Sequence, residues 1–221
     1  MIIWLTLVGA IWLVAYLLGS LPTGYLAGRL LKGIDIREHG SGSTGATNVL
    51  RTLGKGPALL VLVIDTLKGV LATIYSYWVI ALVESYHLVP PTVQPVWYPW
   101  IAAGSGLAVL LGHSKSIWLG FTGGKSVGTS LGVLLAMCWQ VGLGTLGVFG
   151  VVLALSRIVS VSSIAGAIAV PMLMLFFAQP LPYQLFAVAG GVYVIWLHRG
   201  NVERLFAGME PRIGQKLSAP E

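Results

Sequence analysis

Residues 126–155 read SVGTSLGVLLAMCWQVGLGTLGVFGVVLAL, a run of 30 positions without a charge. How often this run crosses a bilayer decides the topology of the chain. One crossing takes about 20 apolar helical residues. The run is therefore long for one span and short for two. As a hairpin turning near Trp139-Gln140-Val141-Gly142, it has arms of about 15 residues, roughly 22 Å against a core of ~30 Å. Such arms need thinned bilayer or protein-lined space. Basic residues gather on the cytoplasmic side of membrane proteins, and this decides between the readings. The Lys and Arg residues fall within 29–68, at Lys115 and Lys125, at Arg157, and within 199–216. A hairpin puts all four groups on one side, whereas a single span sends Arg157 and the basic C-terminal segment to the other. The hairpin is preferred.

Working outward, residues 158–197 are also uncharged and break at Gln179-Pro180-Leu181-Pro182 into two spans of ordinary length. Upstream lie spans near 2–21, 57–83 and 96–111, with Pro57 in the first turn of the second. Between the last two, 84–99 is a loop rich in Pro, Trp and Tyr, as expected of an interfacial belt. The expected fold is an all-α integral membrane protein of about seven transmembrane helices, some short. Its N-terminus is outside and its C-terminus cytoplasmic. Residues 1–221 form a single polytopic domain with a short disordered tail at about 211–221. Asp65 and Lys68 fall inside the second span, one turn apart on one face. An ion pair locking helices together is the first reading of them, and support for an active site the second.

Composition agrees. The chain is 56% hydrophobic and 9% charged, with a mean hydropathy of +0.86, where soluble domains carry about a quarter charged residues. A net charge of +6 suits anionic ligands and anionic lipid. One cysteine, Cys138, excludes an internal disulfide, and no His, Cys and carboxylate spacing suggests a metal. No cofactor and no nucleic-acid partner are expected. The start, MIIWLTLVGAIWLVAYLLG, lacks a basic leader and reads as a retained span.

The topology brings three polar stretches to one face. In the first, residues 34–54, glycines at 40, 42, 45 and 54 alternate with hydroxyls, and Arg37 and Arg51 bracket the centre. Such a backbone can turn free amides toward an anion. Thr44 or Thr47 can cap a short helix ending at Gly54, with Arg51 one turn from Thr47. The second contains Gly123-Gly124-Lys125-Ser126. This is like the end of a nucleotide-binding phosphate loop, but Leu119 stands where that pattern needs glycine, and a helical chain lacks its strand context. Glycine amides and a lysine at a helix start still suit a phosphate. The third runs from His198 to Glu210 and opens with His198-Arg199-Gly200-Asn201, in which His198 can act as base or donor and Asn201 as donor and acceptor. His39 and His113 are weaker candidates.

Taken together, these blocks resemble the bacterial acyl-phosphate-dependent glycerol-3-phosphate acyltransferases. The resemblance rests on Gly19-Ser20-Leu21-Pro22, on residues 35–42 and 45–51, on Gly112-His113, on Phe121 with Gly123-Gly124-Lys125, on residues 157–163 and on 198–201, in that order. It implies a seven-helix enzyme of the bacterial inner membrane whose site faces the cytoplasm. The enzyme moves an acyl chain from acyl phosphate to the 1-hydroxyl of glycerol 3-phosphate, giving lysophosphatidic acid and inorganic phosphate. A phosphate acyltransferase upstream would supply the donor. It further implies Ser41, Arg51, Lys125 and His198 as catalytic residues. Gly40, Gly42, Thr47, Asn48, Gly123, Gly124, Ser163 (or Ser160) and Asn201 would bind substrate. Ser43, Lys115-Ser116, Thr122 and Gly128 depart from the family's usual residues. The alternative, an organophosphate or phosphate transporter, calls for polar groups near the midplane and paired repeats. Here the polar groups gather on one face and no repeat stands out.

Overall fold

The computed structural model describes residues 2–86 and 94–215. Its helices are α1 (Ile2–Ser20), α2 (Thr23–Lys32), α3 (Ala46–Thr52), α4 (Lys55–Ser85), α5 (Gln94–Ser114), α6 (Val127–Met137), α7 (Trp139–Ser156), α8 (Val159–Phe176), α9 (Leu181–Leu197) and α10 (Arg199–Phe206). Helices long and apolar enough to cross a membrane cover Trp4–Lys32, Lys55–Ser85, Trp139–Ser156 and Val159–Phe176, and α9 joins them if its 54° bend into α10 is counted as one span. Large apolar side chains such as Leu59, Leu71, Trp78, Val151, Met172 and Val192 face outward along them. That is the surface of an integral membrane bundle, where lipid is the solvent.

The run at 126–155 is the expected hairpin. It breaks at Cys138, which has extended backbone between α6 and α7. The arms then pack so closely that a Cβ at Gly142 would lie 2.9 Å from the Leu135 amide nitrogen. α6, with 11 residues, is the short arm. It is held along α4, where Cβ atoms at Gly132 and Gly69 would sit 1.9 Å and 2.1 Å from the carbonyl oxygens of Thr66 and Thr129. Small residues at a crossing let backbones approach closely where no water drives association. α1 and α5 run parallel, with Trp12 donating to the Ile101 carbonyl (3.1 Å) and Gly112 against Tyr16. At the end away from the site, Tyr98 hydrogen-bonds Glu84 across α4 and α5, and the hydroxyls of Tyr77 and Tyr183 join α4 to α9 at 2.7 Å. Ala72, Val109, Leu110, Val133, Met174 and Phe186 belong to the main core.

Three expectations change. Residues 29–55 are not an open loop. α2 continues through Lys32 to Gly33 (φ 68°), Ile36–Glu38 is a 3₁₀ turn, and α3 follows. Ile36, Val49, Ala58 and Val61 form a small core beneath them, which folds this polar stretch down onto α4. Neither Thr44 nor Thr47 caps α3; Gly45 holds that position, without a side-chain cap. In the aromatic loop α5 begins at Gln94 and contains Pro99. Residues 87–93, with His87 and Pro90-Pro91, lie outside the described residues. So do residues 216–221 of the expected tail, while the Ile213 amide donates to the Arg157 carbonyl at 2.8 Å.

Asp65 and Lys68 form the ion pair that their spacing suggests, 2.8 Å apart and each 3% exposed. Lys68 also donates to Thr23 Oγ1 (2.8 Å) and to the Leu21 carbonyl, and Thr23 donates to Asp65 (2.5 Å). The pair therefore ties α4 to the break between α1 and α2. Two charges inside a bundle are tolerable only when paired and hydrogen-bonded in this way.

Candidate active site

Where one end of the helical bundle meets the interfacial segments, a cavity of about 360 Å³ opens. Ser41, Thr47, Arg51, Lys125, Ser160, Ser163, His198, Asn201 and Glu210 line it, with Asp65 and His113 at its deeper side. These residues come from three remote segments and from the first turns of α8. An apolar cleft of about 160 Å³ between α6, α7, α8 and α9 adjoins it and shares Leu62, Val127, Gly128, Phe149 and Ser163 with it.

Asn48 organises the first wall. It is 1% exposed. Its Nδ2 donates to the carbonyls of Ile36 (3.1 Å), His39 (3.0 Å) and Ser43 (2.8 Å), and its Oδ1 accepts from the Ser41 amide at 2.8 Å. These contacts engage both ends of its amide, so Asn48 shapes the loop from the wall of the cavity, which it also lines. The expectation of free glycine amides changes with it. The Gly42 amide donates to His39, that of Gly45 to Ser43 Oγ, and that of Gly124 to His113. Gly40, Gly42, Gly123 and Gly124 do not line the cavity. A Cβ at Gly40 (φ 61°) would be 2.2 Å from Asn48 Oδ1, so this glycine makes room for the asparagine. Asp35 fixes the outer edge. It accepts from the Arg37 amide (3.0 Å) and guanidinium (2.7 Å), and that guanidinium beside it lowers its carboxyl to about 2.

What reaches the cavity is a set of side chains. The guanidinium of Arg51 has no hydrogen-bond partner among the described residues and is half-buried, with Glu210 and Arg204 in electrostatic range. Lys125 donates to Asn201 Oδ1, and Asn201 Nδ2 to Glu210 Oε1 at 2.6 Å. Glu210 also accepts from Ser160 Oγ (2.8 Å) and Arg204 Nε (2.8 Å). Burial alone would raise the Glu210 carboxyl, but the bonds from Asn201, Ser160 and Arg204 hold it below its ordinary value. Burial, and then the charge of Arg204, push Lys125 down to about 8 against the pull of Glu210. Ser163 donates to the Val159 carbonyl at 2.8 Å and keeps its oxygen as an acceptor.

His198 Nδ1 lies 2.7 Å from the Val194 carbonyl. A carbonyl can only accept, so Nδ1 carries the proton and Nε2 is left as an acceptor. Burial pushes this histidine down to about 4, so it is neutral at pH 7. Sequence reasoning missed Glu210 and Arg204. The one available signal was a carboxylate among the basic residues of 199–216, and that pattern does not distinguish a buried hub from a solvated charge.

The comparisons agree with this geometry. The sequence profile described as "Glycerol-3-phosphate acyltransferase" matches residues 9–208. A protein of Nostoc sp. (strain PCC 7120 / SAG 25.82 / UTEX 2576) named glycerol-3-phosphate acyltransferase is 66% identical over 97% of this chain and 95% of its own. One of the same name from Trichormus variabilis (strain ATCC 29413 / PCC 7937) is 64% identical over 98% and 96%. Among solved structures, PlsY (YgiH), described as an integral membrane glycerol 3-phosphate acyltransferase, matches in its glycerol 3-phosphate form with a TM-score of 0.80. It is 35% identical, covering 94% of this chain and 96% of that one. Its lysophosphatidic acid form matches with a TM-score of 0.78 and 34% identity, covering 94% and 95%.

Proposed function

The chain belongs to the glycerol-3-phosphate acyltransferase family, and from that premise we propose that it transfers an acyl chain from acyl phosphate to the 1-hydroxyl of sn-glycerol 3-phosphate. The products are lysophosphatidic acid and inorganic phosphate, and the step opens phospholipid synthesis. One observation carries the reading. Arg51 and Lys125, cations from segments 74 positions apart (125 minus 51), face a single cavity from which an apolar cleft leads into the bundle. Two phosphates and one acyl chain need that combination.

Acyl phosphate is a mixed anhydride, so its leaving group is already good. The protein has to hold the glycerol hydroxyl against the acyl carbonyl and to stabilise the departing phosphate. Ser41 and Thr47 offer hydroxyls to the acyl-phosphate head. Arg51 binds a phosphate through paired N–H groups. Lys125, Asn201 and His198 hold glycerol 3-phosphate, and Ser163 adds an acceptor at the mouth of the apolar cleft. The hydroxyl oxygen bonds to the acyl carbon as the carbon–oxygen bond to phosphate breaks. The hydroxyl proton leaves with that phosphate, which departs as hydrogen phosphate, whereas His198, pushed by burial down to about 4, is a poor acceptor. His198 Nε2 orients the hydroxyl. No acyl-enzyme forms.

The site faces the cytoplasm of a bacterial inner membrane that the chain spans seven times with its N-terminus outside. In support, α1, α5, α7 and α9 approach the site end and α4, α6 and α8 leave it. The described Lys and Arg residues lie toward that end, apart from Lys68 in its ion pair. An upstream phosphate acyltransferase supplies the donor. The test is incubation of the purified protein with labelled glycerol 3-phosphate and palmitoyl phosphate. New lysophosphatidate is the expected result. Vectorial uptake into vesicles without product would make it a transporter, and neither outcome would leave a binding scaffold.

A further inference from the structure

We propose that His113 is a positioning residue whose imidazole, wedged between Asp65 and the backbone of Gly124, sets the Gly123–Gly124 turn and so the place of Lys125 in the cavity. The inference rests on the reading above that Lys125 holds a substrate phosphate.

His113 is buried near the end of α5. Its Nδ1 faces Asp65 Oδ1 at 3.6 Å, beyond hydrogen-bond length, a contact that packs the ring edge against the carboxylate. Asp65 is itself fixed by Lys68 and Thr23. The other side of the ring lies against the loop, where a Cβ at Gly124 would be 2.1 Å from His113 Nε2. One at Gly123 would be 2.2 Å from the His113 carbonyl oxygen, and that same oxygen accepts the Gly124 amide at 3.1 Å. One residue thus templates two successive glycines. Just beyond Lys125, Ser126 Oγ donates to the Leu110 carbonyl at 2.8 Å, one turn before His113. Lys125 is held from both sides by the last turns of α5.

This gives the glycine pair a reason other than bare amides for a phosphate. The Gly124 amide is already engaged. What the absent side chains provide is space for His113 to close on the loop. With Asp65 on one ring nitrogen and Gly124 on the other, the imidazole acts through Lys125 and not on the reacting atoms. A lysine displaced by about 1 Å is enough to cost on the order of a hundredfold in such a site.

A size-exchange cycle tests it in the full-length protein, with glycerol 3-phosphate and palmitoyl phosphate as substrates. The variants are His113→Ala, Gly124→Ala and the double. Each single variant is expected to raise the KM for glycerol 3-phosphate at least tenfold, with a smaller fall in kcat. In the double variant the added methyl enters the space that the imidazole left. Its KM is therefore expected to be no worse than that of Gly124→Ala, far from the product of the two effects. His113→Gln, which keeps a polar group facing Asp65, recovers part of the loss and replaces His113→Ala if that variant does not fold. Unchanged KM in the His113 variants, or effects that multiply, would overturn the proposal. So would a loss confined to kcat with disappearance of one limb of the pH profile, since that marks a base. Wild-type protein without any transfer would instead sink the acyltransferase reading and is read separately.

Discussion

Arg51 and Lys125 differ in a way that separates their tests. Arg51 stays charged at any working pH, and its guanidinium has no hydrogen-bond partner among the described residues. Lys125 is buried down to about 8. Replacing either with Ala removes charge-assisted bonds of about 1.5–3 kcal/mol each. Turnover is expected to fall at least a hundredfold while the protein still reaches the membrane, and full activity in both variants would remove them from the site. The lysine adds a pH signature. It binds phosphate when protonated, below its pKa, so kcat/KM for glycerol 3-phosphate should fall as pH rises through about 8. Lys125→Arg should push that fall to higher pH, as a pH–rate profile of both proteins will show. Glu210 has the opposite sign. Its pKa is depressed in the folded state, so its contribution is present above the unfolded value and is lost as pH falls through the folded one. Glu210→Ala leaves Asn201, Ser160 and Arg204 without their acceptor. The expected cost, about 1–3 kcal/mol, is readable as a lower midpoint of thermal unfolding in detergent.

At the scale of elements, the α6–α7 hairpin makes the fold possible, and α6 is too short to be held by lipid alone. It depends on the α4 crossing, where Gly69 and Gly132 allow backbone to touch backbone. Gly132→Val should lower the unfolding midpoint sharply, because the obstructing atom is a carbonyl oxygen and not a movable side chain. Gly147→Ala, on α7 with nothing within 4 Å of the added carbon, is the matched control. It should be neutral or stabilise by up to about 1 kcal/mol from helix propensity. Equal losses in the two would mean that the crossing is not what holds α6. The same scale explains why α3 begins at Gly45. The Gly45 carbonyl takes the amides of Asn48 and Val49, while Asn48, from inside the helix, ties the preceding turn together. A side chain at the cap is unnecessary when the loop is already pinned from within.

For the whole molecule, the decisive quantity is on which side of the bilayer three remote segments lie. In a chain with Cys138 replaced by Ala, Ser41→Cys, Lys125→Cys and Asn201→Cys should all react with an impermeant thiol reagent from the cytoplasmic side, and Gln179→Cys from the outside. Labelling of the three site positions from opposite sides would break the single-site account. The broad architecture was legible from residues alone. Burial in lipid depends on the apolar content and length of each run, and the side on which a loop ends follows its Lys and Arg, so both are local properties of the chain. The convergence of residues 41–51, Lys125 and 198–201 followed from the same counting. The internal wiring of the site could not be read this way. That Asn48 serves the loop, that the amides of Gly42, Gly45 and Gly124 are occupied, that Glu210 gathers Ser160, Asn201 and Arg204, and that His113 lies beneath Gly124 all depend on distances of about 3 Å that only the folded chain sets. Residue types state what a side chain can donate or accept; only tertiary packing decides which neighbour takes it, and therefore which groups remain free for a ligand.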